Sequence, residues 1–234
     1  MQANMILQTN HTAKNRTHFH MKDPGSAITH FIGFLFALSM TPVMLSHCLH
    51  LHASLSQTIS LVIFMGSMIL LYGASTAYHT FDISPKSNKI LKKLDHMMIF
   101  LLIAGSYTPI CVIGLPGQRG TFLLSLVWIM AAIGMLFKLC WVTCPKWVSS
   151  VIYIAMGWLC VLAMPQIIAN LSAPAFFWLL LGGIIYTVGG VIYALKLQAL
   201  NHRFPHFGSH EIFHLFVMAG SFCHFIVMYR YLLS

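Results

Sequence analysis

Thr58–Tyr78, TISLVIFMGSMILLYGASTAY, runs for twenty-one residues without an Asp, Glu, Lys or Arg. A helix rising ~1.5 Å per residue needs ~20 apolar residues to cross the hydrocarbon of a bilayer, and this run supplies them. Working outward, six more apolar segments of similar length follow the same rule: Ala27–His47 before it, then Asp95–Gly114, Phe122–Trp141, Val148–Ile168, Phe176–Leu195 and Glu211–Leu233. Breakers fall in the gaps, at Ser84-Pro85, Leu115-Pro116-Gly117, Cys144-Pro145 and Ala173-Pro174. The sequence therefore predicts an all-α integral membrane protein, a seven-transmembrane helix bundle with its termini on opposite sides.

Composition points the same way. The 234 residues are 58% apolar and only 7% charged, with a mean hydropathy of +0.80, whereas a soluble domain carries about a quarter charged residues. A soluble enzyme, a disordered tail and a nucleic-acid-binding module are excluded, and lipid is the expected partner. The net charge of +9 is spread thinly between apolar runs, where it orients the chain. Residues 1–26 are polar and lack the apolar stretch of a cleaved signal, so they read as a retained cytoplasmic tail, with 27–234 as the membrane domain. With that tail inside, eleven Lys and Arg fall on inner segments, Lys138 among them, and only Arg119 and Arg230 on outer ones. This bias predicts N-inside, C-outside.

Most of the six cysteines lie within apolar runs and read as free, small hydrophobes. Cys140 and Cys144 are four apart, but no partner pair follows at metal-site spacing, and packing beside Pro145 is the expectation. In the sixth segment Gly182, Gly183, Gly189 and Gly190 form two pairs seven apart, a seam where another helix approaches closely. Pro109 should kink the third helix.

Ionisable residues at helix depth are expensive in lipid and hence informative. Of the four acidic residues, Asp95 begins the third apolar span and Glu211 the seventh, whereas Asp23 and Asp82 lie in flanking segments with access to water. Among fourteen histidines, His11, His18 and His20 in the tail, His47, His50 and His52 near the first outer loop, and His96, His202 and His206 at the inner boundary read as solvated or interfacial. His30, His79, His210, His214 and His224 remain at or within spans. His210 and His214 are four apart and share a helical face, as do Ser75 and His79. In the derived orientation these four and Asp95 all meet the cytoplasmic leaflet. Three neutral imidazoles with an open fourth position suit a catalytic zinc (Zn2+), and a neighbouring carboxylate is placed to hold or deprotonate bound water. Hydrogen bonds from single histidines to nearby carbonyls, or a His–Asp proton relay, are the alternatives the residues allow.

These residues also carry a resemblance. Ser75-Thr76-Ala77-Tyr78-His79-Thr80, Lys93-Leu94-Asp95-His96, Gly105-Ser106-Tyr107-Thr108-Pro109 and His210-Glu211-Ile212-Phe213-His214, preceded by Asp23-Pro24-Gly25-Ser26-Ala27-Ile28-Thr29-His30, resemble the bacterial hemolysin III proteins. Those are a branch of the progestin and adipoQ receptor family, which includes the adiponectin receptors. The likeness runs from about Asp23 to the end of the chain. It implies a multi-pass protein of the bacterial inner membrane in which His79, His210 and His214 bind zinc, Asp95 contacts the zinc-bound water and Ser75 stands beside the site. His30 and His224 match family positions without an implied catalytic role. The chain lacks the long cytoplasmic N-terminal domain of the receptor branch. The wider superfamily, similar to alkaline ceramidases in its Ser, Asp and three-His arrangement, implies zinc-dependent hydrolysis of a lipid amide or ester. The hemolysin name implies a channel-forming cytolysin instead, and a sensor of membrane state with structural zinc is a third expectation.

Overall fold

The computed structural model describes residues 21–195 and 207–233. His11, His18, His20, His202 and His206 lie outside these residues. Among the described residues, seven helices are long and apolar enough to cross a membrane: α1 (Pro24–His50), α2 (Leu55–Thr80), α3 (Pro85–Gly114), α4 (Gln118–Cys140), α5 (Lys146–Asn170), α6 (Ala173–Leu195) and α7 (Ser209–Arg230). No strand occurs among the described residues.

Local chemistry sets several helix ends. Ser54 starts α2 by accepting the Gln57 N–H at 3.3 Å, while its own N–H donates to Gln57 Oε1 at 2.8 Å, which satisfies two otherwise unpaired donors. Ser84 accepts the Ser87 N–H at 3.1 Å ahead of Pro85, whose missing N–H costs nothing in a first turn. That cap places the start of α3 ten residues before the apolar span predicted from Asp95. Lys86, Lys89, Lys92 and Lys93 are helical without being apolar, so hydropathy marks only the part of α3 that lies in lipid. Asp95 consequently sits inside a helix, nearly three turns from its start, rather than at its head.

Two helices depart from α geometry. After Pro109, α3 widens into a π turn over Ile110–Gly114, the distortion expected from that proline. In α5 the ladder tightens to a 3-10 stretch at Trp158–Ala163, a break that the sequence reading did not anticipate. Tyr107 of α3 fills it: its hydroxyl donates to the Gly157 carbonyl at 2.6 Å and accepts the Cys160 N–H at 2.8 Å.

The distribution of polarity is inverted relative to a soluble protein. Ile28, Ile32, Phe122, Ile129, Leu136 and Phe177 are exposed on the rim, while Ser26, His30, Ser75, His79, Asp95 and His214 are buried. Lipid on the outside makes this favourable, because apolar surface is not driven inward and polar groups find partners only within the bundle. α2, α3 and α7 are the central helices, burying half or more of their apolar windows, and the other four bury less than a third. The glycine pairs of α6 do form close contacts. A Cβ at Gly182 would come 2.5 Å from His224 Cδ2, and one at Gly189 2.6 Å from Phe216 Cβ, both on α7, while Gly190 meets Ile154 of α5 and Gly183 meets nothing within 4 Å.

Candidate metal centre

The three central helices also carry the expensive residues. His79 closes α2, Asp95 lies in α3, and His210 and His214 open α7. One ring nitrogen from each of His79, His210 and His214 falls within 4.8 Å of the others, a group able to hold a metal ion. His79 Nε2 and His210 Nε2 are 3.2 Å apart. Two nitrogens bound tetrahedrally at ~2.0–2.1 Å stand ~3.3 Å apart, so the separation fits a zinc-sized cation. Two imidazoles at that distance can also share a proton; the third donor is what gives a cation its cage.

The outer nitrogens are fixed by α1. His79 Nδ1 lies 3.0 Å from Asp23 Oδ2, and this hydrogen bond is the largest influence holding the Asp23 carboxyl below its usual range, against partial desolvation. His214 Nδ1 donates to the Ser26 carbonyl at 3.2 Å and lies 3.3 Å from Thr29 Oγ1. Both rings are thereby held with Nε2 free to bind, as outer hydrogen bonds usually arrange for metal-ligating histidines. His30 stacks on His214 at 3.6 Å between ring centroids, 9° from parallel. Ser26 Oγ donates to Glu211 Oε1 at 2.6 Å, and Glu211 Oε2 accepts the Gly208 N–H at 2.8 Å. Glu211 thus secures the start of α7 and with it His210.

Asp23 keeps the access to water expected of its flanking position, with 44% of its side chain exposed, and it also orients a ring of the site, a role not read from the sequence. Ser26 and Thr29 were also missed. The signal was present, since Asp23, Ser26, His30, Gly33 and Ala37 recur every three or four residues as a small and polar face on an apolar helix, and all but Asp23 are buried.

Asp95 is buried and lies outside the three-histidine group. Its Oδ2 is 3.2 Å from Nδ1 of His96. His96 is itself buried, not solvated as expected from its boundary position, because α3 continues through that boundary. Ser75 is fully buried, and its hydroxyl lies near enough to act on the Asp95 carboxylate. His224 is remote from the group, packed against Gly182 and edge-on to Tyr186. Lys138, expected as an orienting charge at the inner boundary, is fully buried.

Residues 19–225 match the family model described as haemolysin-III related. Hemolysin-3 of Bacillus cereus is 36% identical over 217 residues, covering 93% of this chain and 94% of that protein. The hemolysin-3 homolog of Bacillus subtilis (strain 168) is 36% identical over 206 residues, covering 88% and 92%. A more distant relative, the adiponectin receptor protein of Drosophila melanogaster, is 29% identical over 192 residues, covering 73% of this chain and 43% of that one. Seven apolar helices among the described residues and these matches together place the chain in the haemolysin-III-related family, as a multi-pass membrane protein related to the adiponectin receptors.

Proposed function

We propose that this protein is a zinc-dependent hydrolase of an amide or ester bond in a membrane lipid. The carrying observation is the convergence of His79, His210 and His214 on helices adjoining the buried Asp95 and the buried hydroxyl of Ser75. Three neutral imidazoles are a donor set suited to zinc with an open position. Zinc, when bound, polarises a carbonyl and makes water a competent nucleophile near neutral pH.

The residues of the chain supply the rest. Asp23 and the Ser26 carbonyl hold His79 and His214 in the binding tautomer. Asp95 accepts the proton of the attacking water. Ser75, near enough to act on the Asp95 carboxylate, orients Asp95 or donates to the carbonyl oxygen as negative charge develops there. An apolar cavity of about 130 Å³ between α2, α3, α5, α6 and α7, lined by Leu102, Leu179, Phe213 and Val217 among others, supports an acyl chain as the neighbouring part of the substrate.

Metal analysis and lipid turnover test this reading. The wild-type protein should hold about one zinc per chain, and His79→Ala and His214→Ala should lose it, since two imidazoles rarely retain zinc against a chelator. Equal zinc content in all three rejects the site. The names of the Bacillus relatives favour a second reading, channel formation, for which leakage from protein-loaded liposomes without lipid turnover is the diagnostic result.

A further inference from the structure

At the junction of α4 and α5 the bundle encloses a second cluster of reactive groups. Lys138 is fully buried in the last turn of α4. Its Nζ donates to Cys144 Sγ at 3.1 Å and to Ser149 Oγ at 2.6 Å, and the triangle closes with 3.2 Å between Cys144 Sγ and Ser149 Oγ. Among the described residues no carboxylate pairs with Lys138. The rings of Phe137 and Tyr153 stand 5.7 and 6.0 Å from Nζ.

An ammonium group buried among neutral partners is strongly unfavourable unless something nearby carries the opposite charge. The proton accounting of the triangle singles out the sulfur. Ser149 Oγ accepts from Lys138, and its own O–H is available to Cys144 Sγ, which receives two hydrogen bonds when the hydroxyl is the donor. The sulfur is thus the group placed to balance the lysine, and a lysine beside a cysteine is an environment in which thiols become nucleophilic. Cys144 lies in the short connection between α4 and α5 and retains 8% exposure, an opening for an oxidant as small as hydrogen peroxide.

We propose that Cys144 is a peroxide-reactive thiol whose oxidised sulfur is captured by Lys138 as a covalent S–N link between the end of α4 and the start of α5. The thiolate attacks one peroxide oxygen; an S–O bond forms, the O–O bond breaks, and the departing hydroxide takes a proton from the Lys138 ammonium and leaves as water. The neutral amine then attacks sulfur, the S–O bond breaks, and the second hydroxide leaves as water with an amine proton. Sulfur loses two electrons, one peroxide is reduced, and the products are the S–N bond and two waters.

Purified full-length protein carrying Cys140→Ser, which removes any competing disulfide to Cys144, is treated with hydrogen peroxide and mapped by mass spectrometry. The expected product is lighter by about 2 Da, links residues 138 and 144, resists trypsin after Lys138 and reverts with dithiothreitol. With Lys138→Arg the link should vanish, and Cys144 should accumulate as a sulfenic acid trapped by dimedone. Peptide mapping of the unsubstituted protein gives the same decision should a variant fold poorly, because the identity of the linked residues separates S–N from S–S. Cys144 left intact at a peroxide dose that oxidises another cysteine, or carried to sulfinic acid without the link, overturns the proposal.

Discussion

Asp23 grips His79 at two points: its N–H donates to the His79 carbonyl at 2.9 Å, and its carboxylate lies 3.0 Å from the ring Nδ1. The residue ahead of α1 thus fixes both the backbone and the tautomer of the imidazole that ends α2. Removing its charge while keeping its shape should loosen the ring without emptying the site. Asp23→Asn is expected to weaken zinc affinity ~10–100-fold, measured by competition with a chelator. Unaltered affinity would show that the contact braces the helix ends alone.

Asp95 separates catalysis from structure. In the proposed hydrolase Asp95 accepts a proton from water without touching the cation, and on that reading Asp95→Asn should keep zinc and fold while turnover of an N-acyl lipid or lipid ester in mixed micelles falls ~10²–10⁴-fold. Retained zinc with unchanged turnover would refute the hydrolytic mechanism. Loss of zinc and thermal stability together would make the carboxylate an orienting group instead.

Tyr107 stands in for a missing turn of α5. Tyr107→Phe leaves the Gly157 carbonyl and the Cys160 N–H without the hydroxyl that serves both, and a backbone group left unpaired away from water, as on a helix facing lipid, costs about 1–3 kcal/mol. Thermal unfolding in detergent should therefore shift downward, with zinc content unaffected. A wild-type melting temperature would mean that the broken turn satisfies itself.

Orientation follows from charge. A reporter fused after Ser234 should be active only on the non-cytoplasmic face. Activity inside would move the histidine group to the opposite leaflet.

Apolar length was sufficient to place all seven spans, because a bilayer demands ~20 apolar residues from each and the chain provides that number seven times. It could not set the start of α3. Lipid rewards hydrophobicity, whereas a helix needs only its cap and backbone bonds, and Ser84 with Pro85 carries α3 well past the apolar stretch. The i,i+4 spacing likewise put His210 and His214 on one face, since that pairing depends on helix period alone.

What joined those two imidazoles to His79 is tertiary, for 131 residues separate His79 from His210 in the chain and no local rule fixes their approach. The partners on α1 depend on it as well: Asp23, Ser26 and Thr29 are ordinary helix-start residues until α1 packs against the ends of α2 and α7. Lys138 shows the converse. It counts in the sequence as one of the inner charges that orient the chain, but the fold of α4 onto α5 buries it beside Cys144 and Ser149. Sequence determines which segments prefer lipid, because that preference sums over single residues. The packing of one helix against another decides which polar groups meet, because each must find its partner where there is no water to replace one.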